Sequence, residues 1–185
     1  MGSSGTEWDL THRTTTQINI MFIGVHELTI DDKNRLSIPT GLRGSMDPDK
    51  QGVHFYLAPG EREHTLELFP DKYYRKYIEK LHRALTDSPE AADFELFFTS
   101  MSALLEVDKQ GRVLLPQQQL QLAGIGRQVT LLGNRDRLVL LNRESGQSFV
   151  QSTWPRYREM KQAAKRKELP AARGVATPEG PAAQG

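Results

Sequence analysis

Cysteine is absent from the 185 residues, which excludes disulfides, thiolate metal sites and cysteine nucleophiles. Long apolar runs are missing too, and no stretch approaches the roughly 18–20 apolar residues that a membrane-spanning helix needs. The first residues lack the basic-then-apolar order of a secretory signal. A cytoplasmic protein without a membrane partner is the expectation. An excess of one sign of charge is lacking as well: 24 basic and 23 acidic side chains leave a formal net charge of +1. Apolar residues make up 37% of the chain and the mean hydropathy is −0.55, polar but sufficient for one modest core.

Catalytic and metal-binding signatures are also lacking. His12, His26, His54, His64 and His82 show no ligand spacing, and no His-Glu-x-x-His phrase occurs. Gly124-Ile125-Gly126 lacks the rest of a dinucleotide fingerprint and reads as a turn. Ser37 and Ser100 have no nucleophile signature around them, and Glu61, Glu63 and Glu67 read as a solvated loop and strand rather than paired carboxylates. With no acid, base and nucleophile in view, the expectation is a protein that is not an enzyme, with no cofactor, no metal and no small-molecule substrate.

What the chain does have is one phrase written twice. Leu28-Thr29-Ile30-Asp31-Asp32-Lys33-Asn34-Arg35-Leu36-Ser37-Ile38-Pro39 is matched by Leu105-Glu106-Val107-Asp108-Lys109-Gln110-Gly111-Arg112-Val113-Leu114-Leu115-Pro116, 77 positions on. Each copy is an alternating strand, a tight polar turn and a second strand stopped by proline, so one supersecondary unit is built twice. Asp31 and Asp108 are placed to accept backbone N–H groups two residues on, as Asx-turns do. Asn34 and Gly111 are the residue types most at ease with positive φ. Arg35 and Arg112 then stand near a loop tip, able to bridge back to the aspartate or to reach out to a phosphate. Lys33 and Lys109 add a phosphate-attracting potential, and a two-stranded ribbon is narrow enough to enter a DNA groove.

Around the repeats the expected elements are strands at 54–57, 65–69, 128–132 and 137–141, the last two joined by Gly133 to Asp136. Leu66-Glu67-Leu68-Phe69 resembles Leu138-Val139-Leu140-Leu141, so the duplication extends past the turns. A helix opens at Pro70-Asp71, with Asp71 as its N-cap, and presents Tyr74, Tyr77, Ile78, Leu81 and Leu85 on one face. A second helix starts at Ser88-Pro89-Glu90, and Phe94, Leu96, Phe97 and Phe98 supply its buried part or that of the strand it runs into. A helix over 143–166 is weakened by Gly146 and Pro155. Residues 44–52 read as a loop, 1–20 as a mobile extension and the region from Leu169 on as disordered. The charge is uneven: residues 44–100 carry net −4, 101–142 net +2 and 143–169 net +4.

Asp-x-Lys-x-Arg-Leu-Ser-Ile-Pro shortly after Met21-Phe22-Ile23-Gly24, followed by Asp108 to Pro116, resembles the MraZ family of bacterial transcriptional regulators. The likeness runs from Met21 to about Tyr157. It implies an α+β fold of two SpoVT-AbrB-type domains, a duplicated swapped-hairpin β-barrel with flanking helices that assembles into rings. The implied organisation is an extension at 1–20, domain one at 21–72, a helical connector at 73–100, domain two at 101–144, a C-terminal helix at 145–168 and a tail at 169–185. The implied partners are double-stranded DNA carrying repeated promoter elements of the division and cell-wall gene cluster, its own gene included, and further copies of the chain. The implied location is cytoplasmic and nucleoid-associated. Carried over by position, the DNA-binding residues are Lys33, Arg35, Lys109 and Arg112, and the turn-shaping residues are Asp31, Asn34, Asp108 and Gly111. The first loop departs from the family pattern with Asn34 in place of glycine and with the extra acid Asp32, so the weaker DNA contact is expected there. The alternative is an oligomeric protein-interaction module that has lost DNA binding, and the steep salt dependence of DNA binding separates the two.

Overall fold

The computed structural model describes residues 21–44 and 54–166. The expected extension at 1–20, nearly all of the loop at 44–52 and the tail from Leu169 lie outside them. Two compact units divide the chain, one reaching Gly146 and the other beginning at Gln147.

Strand periodicity becomes β1 (Val25–Thr29) and β2 (Arg35–Ser37), followed by the short helix α1 (Thr40–Gly44). Then come β3 (His54–Pro59), β4 (Leu66–Pro70), α2 (Asp71–Ala84) and α3 (Pro89–Ser100). The second repeat supplies β5 (Ala103–Glu106), β6 (Arg112–Leu114), α4 (Gln117–Leu122), β7 (Gln128–Asn134) and β8 (Arg137–Asn142). The fold is therefore mixed α+β with an antiparallel sheet.

The order of that six-stranded sheet, β1-β7-β8-β4-β3-β5, carries the main point of the topology. The first strand of repeat one lies on the hairpin of repeat two, and the first strand of repeat two lies on the hairpin of repeat one. The hairpins themselves meet through β4 and β8, where Glu67 faces Val139 and Leu66 faces Leu140. The two look-alike segments thus pair with each other. β2 and β6 form a separate two-stranded ribbon in which Leu36 faces Val113. A local twofold relation runs through both pairs.

This interleaving closes one core from both halves. Phe22, Leu36, Ile38, Phe55, Leu57, Leu68, Val113, Leu115, Leu131, Leu138 and Leu140 are all buried in it. At roughly 25 cal/mol per Å2 of apolar surface removed from water, each such side chain contributes on the order of 1.5–3 kcal/mol. β4 is covered on both faces: Leu66 and Leu68 enter this core, while Phe69 on the opposite face joins Tyr74 and Phe98 in a second cluster. Tyr56 stacks on Tyr74 at 4.3 Å between ring centroids, which fixes α2 to the sheet.

Five sequence expectations need correction. Glu67, expected in a solvated strand, is buried in β4 and accepts from Arg137 Nη1. Asp71 is the first helical residue rather than the cap: Pro70 occupies the N-cap position without a side-chain bond, and Asp71 accepts from Arg75 Nε one turn on. α3 starts as expected, with Ser88 Oγ accepting from Ala91 N, yet of Phe94, Leu96, Phe97 and Phe98 only Phe98 is buried. At 100° per residue Leu96 and Phe97 turn away from the face that carries Phe98, whereas Phe94, one turn before Phe98, lies on that face and packs on its ring at 6.0 Å while staying partly exposed. β7 and β8 each extend further than expected, leaving Arg135-Asp136 as a two-residue turn with Arg135 at φ +60°. The last helix is two: α5 (Arg143–Thr153) and α6 (Tyr157–Arg166) flank a 3-10 turn at Trp154–Arg156, where proline removes a backbone donor.

Candidate nucleic-acid interface

Each repeated phrase folds into the same small clamp. Asp31 Oδ1 accepts from the backbone N–H groups of Lys33 and Arg35, both at 2.9 Å, while Oδ2 accepts from Arg35 Nε and Nη2, both at 2.7 Å. In the second loop Asp108 Oδ1 accepts from Gln110 N and Arg112 N at 2.9 Å, and Oδ2 from Arg112 Nε at 2.8 Å and Nη2 at 2.7 Å. Asn34 N bonds Asp31 O and Gly111 N bonds Asp108 O, closing both turns. The last turn residue is left-handed in each, Asn34 at φ +57° and Gly111 at φ +78°. Two sequences that differ at the tip reach one geometry because aspartate and arginine supply nearly all of its bonds.

The bonds to charged donors set the electrostatics. Arg35 holds the Asp31 carboxyl at about 2, first through its side-chain hydrogen bond and then through backbone N–H groups. Arg112 lowers Asp108 in the same way, and the Asp31 carboxylate raises Arg35 in return. Each carboxylate takes the Nε–Nη2 edge of its arginine. The other N–H groups of the planar fork remain to meet a second anion.

The two clamps are not independent. Ile38 N donates to Gly111 O and Leu115 N donates to Asn34 O, so each repeat carries a bond from the other at its left-handed residue. Between the loops lies the β2–β6 ribbon, with Leu36 and Val113 buried beneath it. Alternation puts Arg35, Ser37, Arg112 and Leu114 on its outer face. Arg35 pairs with Leu114 and Ser37 with Arg112, so the two arginines are diagonal neighbours across the ribbon. An open groove of about 500 Å3 beside the ribbon is bordered by Arg35, Arg112, Leu104 and Leu114. Lys33 and Lys109 stand exposed at the two tips.

Two further cations belong to this surface and lie outside the repeated phrase. Arg43, from α1, donates from Nε to Ile38 O and from Nη2 to Thr40 Oγ1, and its guanidinium lies directly over Gly111. Arg127 pairs with Asp32, the extra acid of the first loop. The charge of Asp32 is thus countered from the second repeat, a relation invisible at a separation of 95 residues. No sequence signal marked Arg43 or Arg127. Among the described residues no group of acidic or histidine side chains is arranged to hold a metal ion, and no helix is long and apolar enough to cross a membrane.

The family model described as "MraZ protein, putative antitoxin-like" matches residues 21–97. A "Transcriptional regulator MraZ" from Clostridium tetani is 31% identical over 129 residues, covering 70% of this chain and 87% of that one. Its namesake from a Marinomonas species is 32% identical over 125 residues, covering 67% and 82%. The one from Heliobacterium modesticaldum is 31% identical over 140 residues, covering 76% and 94%. Among solved structures, a solution structure of a Pyrococcus horikoshii protein aligns at 17% identity over 65% of this chain and 89% of that one, with a TM-score of 0.30 that is too low to support the fold.

Proposed function

Because the chain belongs to the MraZ family, whose members are named transcriptional regulators rather than enzymes, we propose that it regulates transcription by binding double-stranded DNA through the paired Asp–Arg clamps. The observation that carries this reading is the placement of Arg35 and Arg112 on one outer ribbon face, each locked by its aspartate. Diagonal neighbours on a ribbon are about 7–8 Å apart. At that separation both arginines act on one short stretch of the phosphate backbone. A guanidinium already fixed on one edge loses little entropy when its free edge meets a phosphate or the O6 and N7 of guanine.

Lys33 and Lys109 supply salt-dependent attraction, Arg43 extends the positive surface, and Arg127 offsets the charge of Asp32. Net charge of +1 for the chain is compatible with tight binding if several copies act together. A ring of protomers, each an interleaved swapped-hairpin barrel of the AbrB type, would engage several DNA repeats at once and gain through effective concentration. The targets in this reading are repeated promoter elements of the division and cell-wall cluster, including the gene for this chain, and the protein resides with the nucleoid.

Fluorescence anisotropy with duplexes carrying the direct repeats upstream of its own gene tests the reading. Arg35→Ala with Arg112→Ala should abolish specific binding, and Lys33→Ala with Lys109→Ala should lower the salt slope by about 2. Unchanged affinity in the arginine double variant, with native circular dichroism, sinks the assignment.

A further inference from the structure

The apolar residues that α3 leaves uncovered are not scattered. Phe97, 57% exposed, and Leu122 on α4, 64% exposed, border a groove of about 190 Å3 walled by Pro59, Leu66 and Met101. Gln119 lines this groove and is only 9% exposed. Its Nε2 donates to Met101 O at 3.3 Å, which fixes the sense of the amide. Its Oε1 then has no hydrogen-bond partner among the described residues. Burying a carbonyl oxygen unpaired is costly, so the groove asks for an N–H donor carried on an apolar body. Arg62 and His64 stand on the strand side of the groove, while the α3 side is acidic and suits positive charge: α3 bears Glu90, Asp93 and Glu95 and no lysine or arginine.

The chain carries such an element. Trp154 is 79% exposed, and an indole is an apolar body with one N–H that donates and never accepts. No bond of that indole N–H is found among the described residues. From Trp154 to Arg166 there are five basic residues and one acid, Glu159. Tyr157 and Met160 on the same helix are also exposed.

We propose that Trp154 of one copy inserts into the groove between α3 and α4 of a second copy, its indole N–H donating to Gln119 Oε1. The basic helix α6 then lies along the acidic α3 of that second copy. Each copy offers one anchor and one groove, so the contact is head-to-tail and propagates until it closes. The inference rests on the proposed reading only in that copies associate; it is independent of DNA binding.

The test uses the full chain with Trp8→Phe, which leaves Trp154 as the single tryptophan. Across a dilution series followed by native mass spectrometry, Trp154 emission should shift to the blue as the oligomer forms. Trp154→Ala and, separately, Leu122→Glu or Phe97→Glu should each reduce the mass to that of a monomer while far-ultraviolet circular dichroism stays native. Phe97 and Leu122 are already exposed, so these changes spare the core. Mixing the Trp154→Ala and Leu122→Glu chains restores one complementary pair, and a 1:1 dimer with nothing larger should result. Wild-type mass in the Trp154→Ala variant, no dimer on mixing, or emission that does not respond to concentration overturns the docking. A wild-type chain that is monomeric at micromolar concentration removes the ring as well. Loss of DNA binding by an intact oligomer counts against the DNA reading alone.

Discussion

Leu36 and Val113 occupy the same position of the two repeats and face each other at the centre of the β2–β6 ribbon. Both are fully buried, so the local twofold relation of the molecule passes through a contact between duplicated residues. Each arginine immediately precedes its member of this pair in sequence and lies on the opposite face. Whatever fixes Leu36 against Val113 therefore fixes the distance between Arg35 and Arg112.

Leu36→Ala opens a cavity at that centre, and the expected cost is about 2–5 kcal/mol. For a chain of this size each kcal/mol lowers Tm by about 2–4 °C, so calorimetry should register a drop of the order of 10 °C. DNA affinity should fall at temperatures well below the new Tm, because the ribbon loosens before the whole sheet melts. A variant with wild-type Tm would show that the ribbon does not depend on this contact.

The relation was only half legible in the sequence. The repeated phrase contains every residue of each clamp, because Asp-to-Arg bonds span four positions and local chemistry determines them. The exchange of first strands between hairpins was not written in any short window, since it depends on pairings such as Val25 with Leu132. Nor were Arg43 and Arg127 legible: Arg127 reaches the first loop through that exchange, and Arg43 reaches the second across the β2–β6 ribbon. Phe94, Leu96 and Phe97 misled for a related reason: an apolar helix face reads as core whether its cover comes from the same chain or from elsewhere.

The clamps should survive moderate acid. Asp31 is held at about 2 against an ordinary value of 3.8, so its folded value lies below its unfolded one. Its stabilising effect is then complete above about 3.8 and is lost as pH falls through 2. Carbon-detected NMR titration of the aspartate carboxyls should place the Asp31 midpoint near 2, with Asp108 also below the ordinary range. A midpoint near 3.8 in either loop would mean that the arginine bond is not held in solution.

Gly111 and Asn34 should respond unequally to substitution. A Cβ at Gly111 would collide with the Arg43 guanidinium, and the backbone there is left-handed at φ +78°. Left-handed geometry alone costs a residue with a side chain roughly 1–2 kcal/mol. Gly111→Ala should therefore lose at least that much in urea denaturation, and Arg43→Ala should recover the part owed to the collision, read as coupling in a double-mutant cycle. Asn34→Gly should stay within about 0.5 kcal/mol of wild type, as for most surface changes. Zero coupling between Gly111→Ala and Arg43→Ala would remove the role given to Arg43.

Arg137 should be the most sensitive charged residue of the fold. Its guanidinium lies 4.5 Å from the Phe69 ring centre and 4.7 Å from that of Tyr77, and Nη1 bonds Glu67 Oε2 at 3.0 Å. The Glu67 side chain is 6% exposed, and burial pushes its carboxyl above the ordinary range even with Arg137 beside it. Arg137→Met would strand that carboxylate, and breaking a buried pair costs about 3–5 kcal/mol. The loss should depend on pH with a defined sign. A carboxyl whose folded value lies above its unfolded one loses native stability as pH rises between the two, so the variant should be least stable near neutrality and recover on acidification. Arg137→Met with Glu67→Gln removes the stranded charge and should regain most of the loss at pH 7. If Arg137→Met alone were as stable at pH 7 as at pH 5, Glu67 would not be the group that Arg137 serves.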